Sequence, residues 1–342
     1  MYYCSYIDAA HKSAWEKLAQ NHPAGGFHQS FGWAKFKQSV NWDSYKIGLF
    51  ENNTSKLVGG AIVLEFTFPN GINFLYLPEG PLLDYNNEDN LFWQWRALET
   101  AIHSIASLTK DAKTTHIRIE PRIEKCPKWF LSQFIKAPLN LQPKHTQIID
   151  LTNSKAKLLE QMKPKGRYNI NLAERKGVSI QRIKHPTPKH IDAFYKLYEE
   201  TFNRNKFDGK DKQFFLNYLS SCKEFSEMYF AKIDNDIAAT SIVVNFGKRV
   251  TYLYGASSRA HKEYMAPYLM HWEIMKTAKS EKFKEYDLWG VCRSDKDKDH
   301  DWHGLTQFKK KFGGKQLDWI GSFDYVLQKD LYEKFVEEFE KE

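Results

Sequence analysis

The segment Gly304–Gly314 (GLTQFKKKFGG) sets Phe308 and Phe312 four residues apart, with three lysines between them and a glycine pair suited to ending a helix. Spacing leaves two arrangements open. Either all three lysines are solvated, or Lys309, beside Phe308, turns inward, where its ammonium could stabilise an oxyanion or orient a reacting ester. The densest basic feature is Lys163–Gly177 (KPKGRYNINLAERKG), a loop and helix with Lys163, Lys165 and Arg167 at one end and Arg175 and Lys176 at the other. Such a cluster could neutralise nucleic-acid phosphates by counterion release, or form the solvated face of a helix. Ile170 and Ala173 supply the buried face in both cases. Tyr252 and Tyr254 alternate along a strand and are expected on one face, as core or as substrate contacts. The two imidazoles and two carboxylates of Asp299–His303 (DHDWH) lie in a charged run that reads as a loop, so no metal is expected.

Other chemistries lack their residues. The sequence has no G-x-G-x-x-G, Walker loop or H-E-x-x-H. The connections Pro78–Asn90 and Ser257–Ala266 are too rich in side chains to cradle a pyrophosphate closely, which disfavours acyl-coenzyme A as donor; no cofactor is expected. No serine or cysteine sits beside a legible base, so direct acyl transfer is favoured over a covalent intermediate. Cys4, Cys126, Cys222 and Cys292 are widely spaced and read as free thiols.

The elements that must position these residues repeat. Tyr45–Glu51 and Lys56–Phe68 alternate as a hairpin, and a strand at Phe74–Pro78 follows. A helix with Leu91, Trp95, Leu98, Ile102 and Ile105 on one face and a strand at His116–Glu120 complete the set. The second half gives the same order: Glu227–Ile233 and Ile237–Phe246 as a hairpin, Val250–Ala256, a helix bearing Tyr268, Trp272 and Met275, and a strand at Glu285–Trp289. Ile191, Phe194, Tyr195, Tyr198 and Phe202 mark a further amphipathic helix upstream. The 342 residues suit two domains, and a mixed sheet covered by helices twice over predicts an α/β protein of two tandem modules with a cleft between them. The expected domains are 1–146 with 315–342, and 147–314. The last segment is expected to hold a strand at Leu317–Leu327 and a helix from Asp330.

Composition narrows the setting. Fifty Lys and Arg against 42 acids give a net charge of +8, which suits a polyanionic partner or a phosphorylated substrate. The longest strongly apolar stretch, Leu57–Leu64, is far short of the roughly 20 residues of a spanning helix. The first residues show no basic leader followed by an apolar run, so a cytoplasmic location is expected.

The ordered motifs HQSFGWAKFK (His28–Lys37), GRYNINLAERKGV (Gly166–Val178), YLYGASS (Tyr252–Ser258), YDLWGV (Tyr286–Val291) and GLTQFKKKFGG resemble the Fem family (FemABX) of peptidoglycan cross-bridge aminoacyltransferases. The resemblance implies two GNAT-like domains, with the C-terminal segment returning to the first. It also implies transfer of an amino acid from aminoacyl-tRNA to the side-chain amine of a stem peptide on a UDP-MurNAc-peptide or lipid-linked muramyl precursor, with a peripheral membrane contact and no DNA partner. Position by position, Lys37 and Lys210 would hold the precursor's phosphates near Tyr252 and Tyr254, and the Phe308-Lys309 pair would serve the transfer intermediate. Lys163, Lys165 and Arg167 would meet tRNA, and Glu120 takes the place of an acidic residue considered as a base. Lys210 stands where relatives carry arginine, trading a bidentate fork for a point charge. Phe214 replaces a substrate-binding tyrosine and loses its hydroxyl, and Glu79 stands where a basic residue is common. No heptad-patterned insertion is present, so the coiled-coil arm of some relatives is not expected. Alternatives are a related GNAT-type aminoacyltransferase acting on a lipid or a protein N-terminus, and a non-catalytic RNA-binding module.

Overall fold

The computed structural model describes residues 1–108, 113–205, 208–294 and 296–339, which form two compact units: Met1–Lys144 with Trp319–Glu342, and His145–Asp318. Both are mixed α/β, each built on a seven-stranded sheet.

The first unit contains β1 (Tyr2–Tyr6), α1 (Lys12–Asn21), α2 (Phe31–Gln38), β2 (Asp43–Glu51), β3 (Leu57–Thr67), β4 (Ile72–Pro78), α3 (Glu88–Leu108), β5 (Lys113–Glu120), α4 (Phe130–Gln133) and β6 (Ile135–Lys136). The second contains β7 (His145–Asp150), α5 (Lys155–Glu160), α6 (Pro164–Arg175), β8 (Ser179–Ile183), α7 (Pro188–Asn205), α8 (Lys212–Cys222), β9 (Ser226–Ile233), β10 (Asp236–Phe246), β11 (Arg249–Ser257), α9 (Ala266–Ser280), β12 (Glu285–Gly290), α10 (His303–Lys309) and β13 (Lys315–Asp318). The chain then returns to the first unit with β14 (Phe323–Val326) and α11 (Lys329–Phe339). The sheet orders are β1-β2-β3-β4-β5-β14-β6 and β13-β7-β12-β11-β10-β9-β8.

The repeated order read from hydrophobic spacing is present in both units. In α3, Leu91, Trp95, Leu98, Ile102 and Ile105 are all buried against the first sheet. Each such side chain contributes about 1.5–3 kcal/mol by leaving water. In α9, Tyr268, Trp272 and Met275 are buried against the second sheet, where Ile170 and Ala173 of α6 join the same core. Asp234 takes φ 50° in the turn between β9 and β10, a conformation that Asp tolerates better than most residues.

The C-terminal segment differs from expectation. The single strand expected at Leu317–Leu327 is two strands in two sheets. β13 pairs antiparallel with β7, so Lys315–Asp318 stays with the second unit rather than the first, whereas β14 pairs with β5 and β6. Gly321, at φ 79°, lies between them; a Cβ there would come within 2.3 Å of Asn140 Oδ1. The chain passes from one sheet to the other through a position only glycine fits easily.

Candidate active site

The second unit opens where its parallel strands part. Among the described residues, β11 and β12 pair over Arg249–Thr251 and Glu285–Asp287, while β11 runs on to Ser257 and β12 to Gly290. A cavity of about 310 Å³ adjoins this split, with Tyr252 and Gly255 of β11, Met265 and Tyr268 at the start of α9, Arg204, and Phe308 of α10 in its lining. A Cβ on Gly255 would sit 1.8 Å from the Tyr252 hydroxyl oxygen, so the bare backbone there makes room for the phenol.

Lys309 is the inward lysine. Thr306 and Lys309 lie three apart and share the buried face of α10. The Thr306 hydroxyl accepts from Cys292 N at 2.8 Å and donates to Cys292 Sγ at 3.2 Å, tying the helix to the chain that leaves β12. That anchor turns Lys309 inward, 3% exposed, where its Nζ donates to Gly290 O at 2.7 Å and lies 5.9 Å from the Tyr252 ring centroid. Burial pulls the ammonium down to about 7, against the opposing pull of Asp287 and Cys292.

The acceptor for Lys309 is itself placed by an unusual backbone. Trp289 has φ 65°, a left-handed conformation that costs a bulky residue free energy, and the pairing of β12 with β7 shifts register between Asp287 and Gly290. Asp287, fully buried, accepts from Trp289 N at 2.8 Å and from the Thr146 hydroxyl of β7. The bulged end of β12 therefore holds a carbonyl and a carboxylate near one ammonium. Asp287, Trp289 and Gly290 were not singled out from the sequence, although YDLWGV was quoted as a motif. The signal available was an acid inside an otherwise apolar strand.

Phe308 is half-buried and meets Tyr268 at 5.1 Å, Phe312 at 5.3 Å and His271 at 5.3 Å between ring centroids, all edge-on. Tyr252 and Tyr254 do not share a face, contrary to the alternation rule. Tyr252 pairs with Val243 and Tyr254 with Ile242, so β11 bulges by one residue between them. Tyr252 joins the core beneath α9, while Tyr254 packs edge-on against Phe215 at 5.1 Å and Phe214 at 6.2 Å of α8. Burial pushes both phenols up from their ordinary value.

Lys210 is exposed just ahead of α8, with Nζ 5.9 Å from the half-buried Phe214 ring, and Asp211 caps the helix by accepting from Phe214 N at 2.7 Å. Lys37 is half-buried in the last turn of α2, its Nζ 3.9 Å from the Trp42 ring centroid, a cation–π contact that fixes the side chain.

Two of the expected site residues have structural partners. Glu120 accepts from Leu141 N at 2.8 Å, Gln142 N at 3.1 Å, and the hydroxyls of Tyr76 and Ser322. A carboxylate so occupied ties together the end of β5, the loop after β6 and the segment before β14, which gives Glu120 a structural role. Arg167 donates to Leu159 O, Glu160 O and Met162 O, capping the C-terminal carbonyls of α5. Lys163 and Lys165 stay exposed at the start of α6, Lys165 over the exposed Tyr168 ring at 4.5 Å. Glu79, standing where a basic residue is common in the family, is buried and paired with Arg122 at 2.8 Å and His28 at 2.9 Å, so its charge is taken up internally. Among the described residues there is no group of three metal-ligating side chains and no helix long and apolar enough to cross a membrane.

Comparison with known proteins gives the same architecture. The lipid II:glycine glycyltransferase of Staphylococcus epidermidis is 24% identical over 394 residues, covering 93% of this chain and 92% of its own. That of Staphylococcus aureus is 23% identical over 400 residues, with the same coverage. Among solved structures, FemX shares the fold at TM-score 0.82 and 20% identity, over 97% of this chain and 99% of its own. A tandem GNAT protein from the clavulanic acid biosynthesis pathway reaches 0.53 at 9% identity, over 95% and 98%. The two units are thus a tandem GNAT-like fold. The FemAB family model matches residues 11–127, 126–238 and 235–341, nearly the whole chain, and the chain therefore belongs to the FemAB family.

Proposed function

We propose that this FemAB-family aminoacyltransferase moves an amino acid from an aminoacyl-tRNA to a primary amine of a peptidoglycan stem peptide, as a step in building the cross-bridge. The carrying observation is Lys309, a buried ammonium at the open end of the second unit's parallel strands, held on Gly290 O and beside a cavity. The names of the relatives, glycyltransferases acting on lipid II, supply the reaction class and the kind of acceptor.

In this reading the neutral amine attacks the ester carbonyl. The new C–N bond forms as the carbonyl electron pair moves to oxygen, and the Lys309 ammonium offsets that charge in a site of low polarity. Collapse breaks the bond to the ribose oxygen, which leaves with a proton as the amine loses one. The ester is already activated, so positioning supplies much of the acceleration and no covalent enzyme intermediate is needed. Phe308 and Tyr252 shape the apolar wall, Lys163 and Lys165 contact the tRNA backbone, and Lys37 and Lys210 are the cations assigned to the precursor's phosphates. Transfer would take place in the cytoplasm, where charged tRNA is made.

The test is incubation of the purified protein with tRNA charged with a labelled amino acid and either nucleotide-linked or lipid-linked muramyl peptide, followed by mass spectrometry of the acceptor. The expected result is an acceptor heavier by one amino acid residue. RNA binding with no transfer to either acceptor would favour a binding module instead.

A further inference from the structure

Helix α6 is amphipathic, and its solvent side carries an aromatic ring among cations. Gly166, Asn169, Ile170 and Ala173, at helical spacing, form the buried face, and Ile170 and Ala173 enter the core of the second unit. The opposite face bears Tyr168, 50% exposed, and Arg175, exposed, about two turns further on. Lys165 extends its Nζ over the Tyr168 ring, 4.5 Å from the centroid, and Lys163 is exposed just ahead of the helix. From Lys163 to Lys176 the one carboxylate, Glu174, stands against Lys163, Lys165, Arg167, Arg175 and Lys176.

Both ends of α6 are tied to the surroundings of Lys309 and its cavity. At the start, Lys163 N donates to the carbonyl oxygen of Lys311 at 3.1 Å, on the segment that follows Lys309, and a Cβ on Gly166 would come within 2.5 Å of the same oxygen. At the end, the Lys176 ammonium donates to Glu263 O at 3.0 Å and lies 4.9 Å from the Tyr264 ring centroid. Glu263 and Tyr264 belong to the loop whose His261, Lys262 and Met265 line the cavity. The helix, about 18 Å long, therefore runs from the segment that carries Lys309 to the loop that edges the cavity.

What such a face can bind follows from its chemistry. Exposed cations attract phosphates by releasing condensed counterions. A half-exposed phenol ring offers a stacking plane to any unpaired base, whereas a base inside a duplex is already stacked and out of its reach. Cations interleaved with a ring therefore favour single-stranded over double-stranded RNA. We propose that the exposed face of α6 is a docking strip for the unpaired 3′ end of the donor tRNA, with Tyr168 as the ring on which one base stacks and Lys165 and Arg175 meeting the phosphates on either side. The inference rests on aminoacyl-tRNA being the donor of the proposed transfer, and it adds a contact that does not depend on charge.

The experiment is titration of the full chain with fluorescently labelled tRNA, either intact or trimmed of its unpaired 3′ nucleotides, over a range of salt. Tyr168→Ala is expected to weaken binding of intact tRNA about 5- to 20-fold with the salt slope unchanged, whereas Arg175→Ala should lower the slope by about 1. Tyr168→Phe and Tyr168→Trp keep a ring and should bind within about twofold of wild type. With trimmed tRNA, wild type and Tyr168→Ala should bind alike. In the transfer assay, Tyr168→Ala should raise KM for charged tRNA with kcat unchanged. Wild-type affinity of Tyr168→Ala for intact tRNA, an equal loss on trimmed tRNA, or an equal loss in Tyr168→Phe overturns the proposal. If the wild type transfers an amino acid and Tyr168→Ala matches it in binding and transfer, the strip fails and the functional reading stands. If intact tRNA binds through the ring but no acceptor is modified, the functional reading fails and the strip stands.

Discussion

The two units use one arrangement of strands and helices to opposite ends. In the first, the parallel pair β4 and β5 stays joined from Ile72 against Lys113 to Pro78 against Glu120, with one register shift between Asn73 and Leu75. One of its buried cations meets a carboxylate directly. Arg118 of β5 grips Asp324 of β14 through two hydrogen bonds of 2.7 Å, and Tyr332 of α11 adds a third to Asp324 at 2.8 Å. In the second unit the corresponding pair separates after three residues, and the buried cation, Lys309, meets a neutral carbonyl where Arg118 meets a carboxylate. Closed strands with paired charges make a clamp. Open strands with a weakly held ammonium leave a charge able to respond to an oxyanion.

The sharpest way to break this contrast is to damage each unit and read stability and transfer separately. Removing one partner of the first unit's pair, by Asp324→Leu, leaves Arg118 buried and uncompensated. It is expected to cost about 3–5 kcal/mol in urea unfolding, with the double variant Arg118→Met with Asp324→Leu recovering much of the loss. Transfer per folded molecule should not change in the double variant.

Lys309→Met should do the reverse. Transfer is expected to fall about 10²–10³-fold at pH 7, the scale of losing one group that stabilises an oxyanion. Stability should rise, because burial costs this cation more than the Gly290 carbonyl and the nearby Asp287 carboxylate return, as its lowered pKa indicates. The pH dependence fixes the sign. Folding lowers the Lys309 pKa from its ordinary 10.5 to about 7, so between those values the unfolded chain binds more protons. The Lys309 penalty is therefore complete below pH 7 and shrinks as pH rises toward 10.5. The stability advantage of Lys309→Met over wild type should narrow over that range, and a constant gap in parallel urea titrations would contradict the assigned environment.

Gly255→Ala tests whether the open split is a working surface. The added methyl group displaces the Tyr252 phenol, and overpacking of this kind costs about 1–3 kcal/mol. A further loss is expected in donor KM or kcat per folded molecule. The smallest effects belong to the surface. Lys163→Ala and Lys165→Ala should each reduce the salt slope of tRNA binding by about 1, with stability within about 0.5 kcal/mol of wild type. Arg167→Ala, in contrast, should lower stability through the lost cap of α5 with little change in that slope.

Much of this contrast was legible before the structure. The helical spacing of Leu91 to Ile105 and of Tyr268 to Met275, and the two hairpins ahead of them, come from local periodicity, and each element follows because its apolar face needs a sheet to cover it. Lys309 was singled out by its place beside Phe308, but whether it faced inward was open. Its direction depends on Thr306 reaching Cys292, a contact between residues 14 apart in sequence. The structural partners of Arg167 and Glu120 were hidden for a related reason. A charged side chain in a motif looks alike whether it meets solvent, a ligand or the carbonyl end of a neighbouring helix.

The amino-acid order alone determined which segments are strands and helices, that they occur twice, and which family the chain joins, because those depend on side-chain size and polarity at short range. Only the tertiary structure decided that Tyr252 and Tyr254 face opposite ways, that β11 and β12 part after three residues, and that Lys309 lies on the Gly290 carbonyl. A bulge, a split and a buried charge are settled by what packs across the sheet, and those neighbours are distant in sequence.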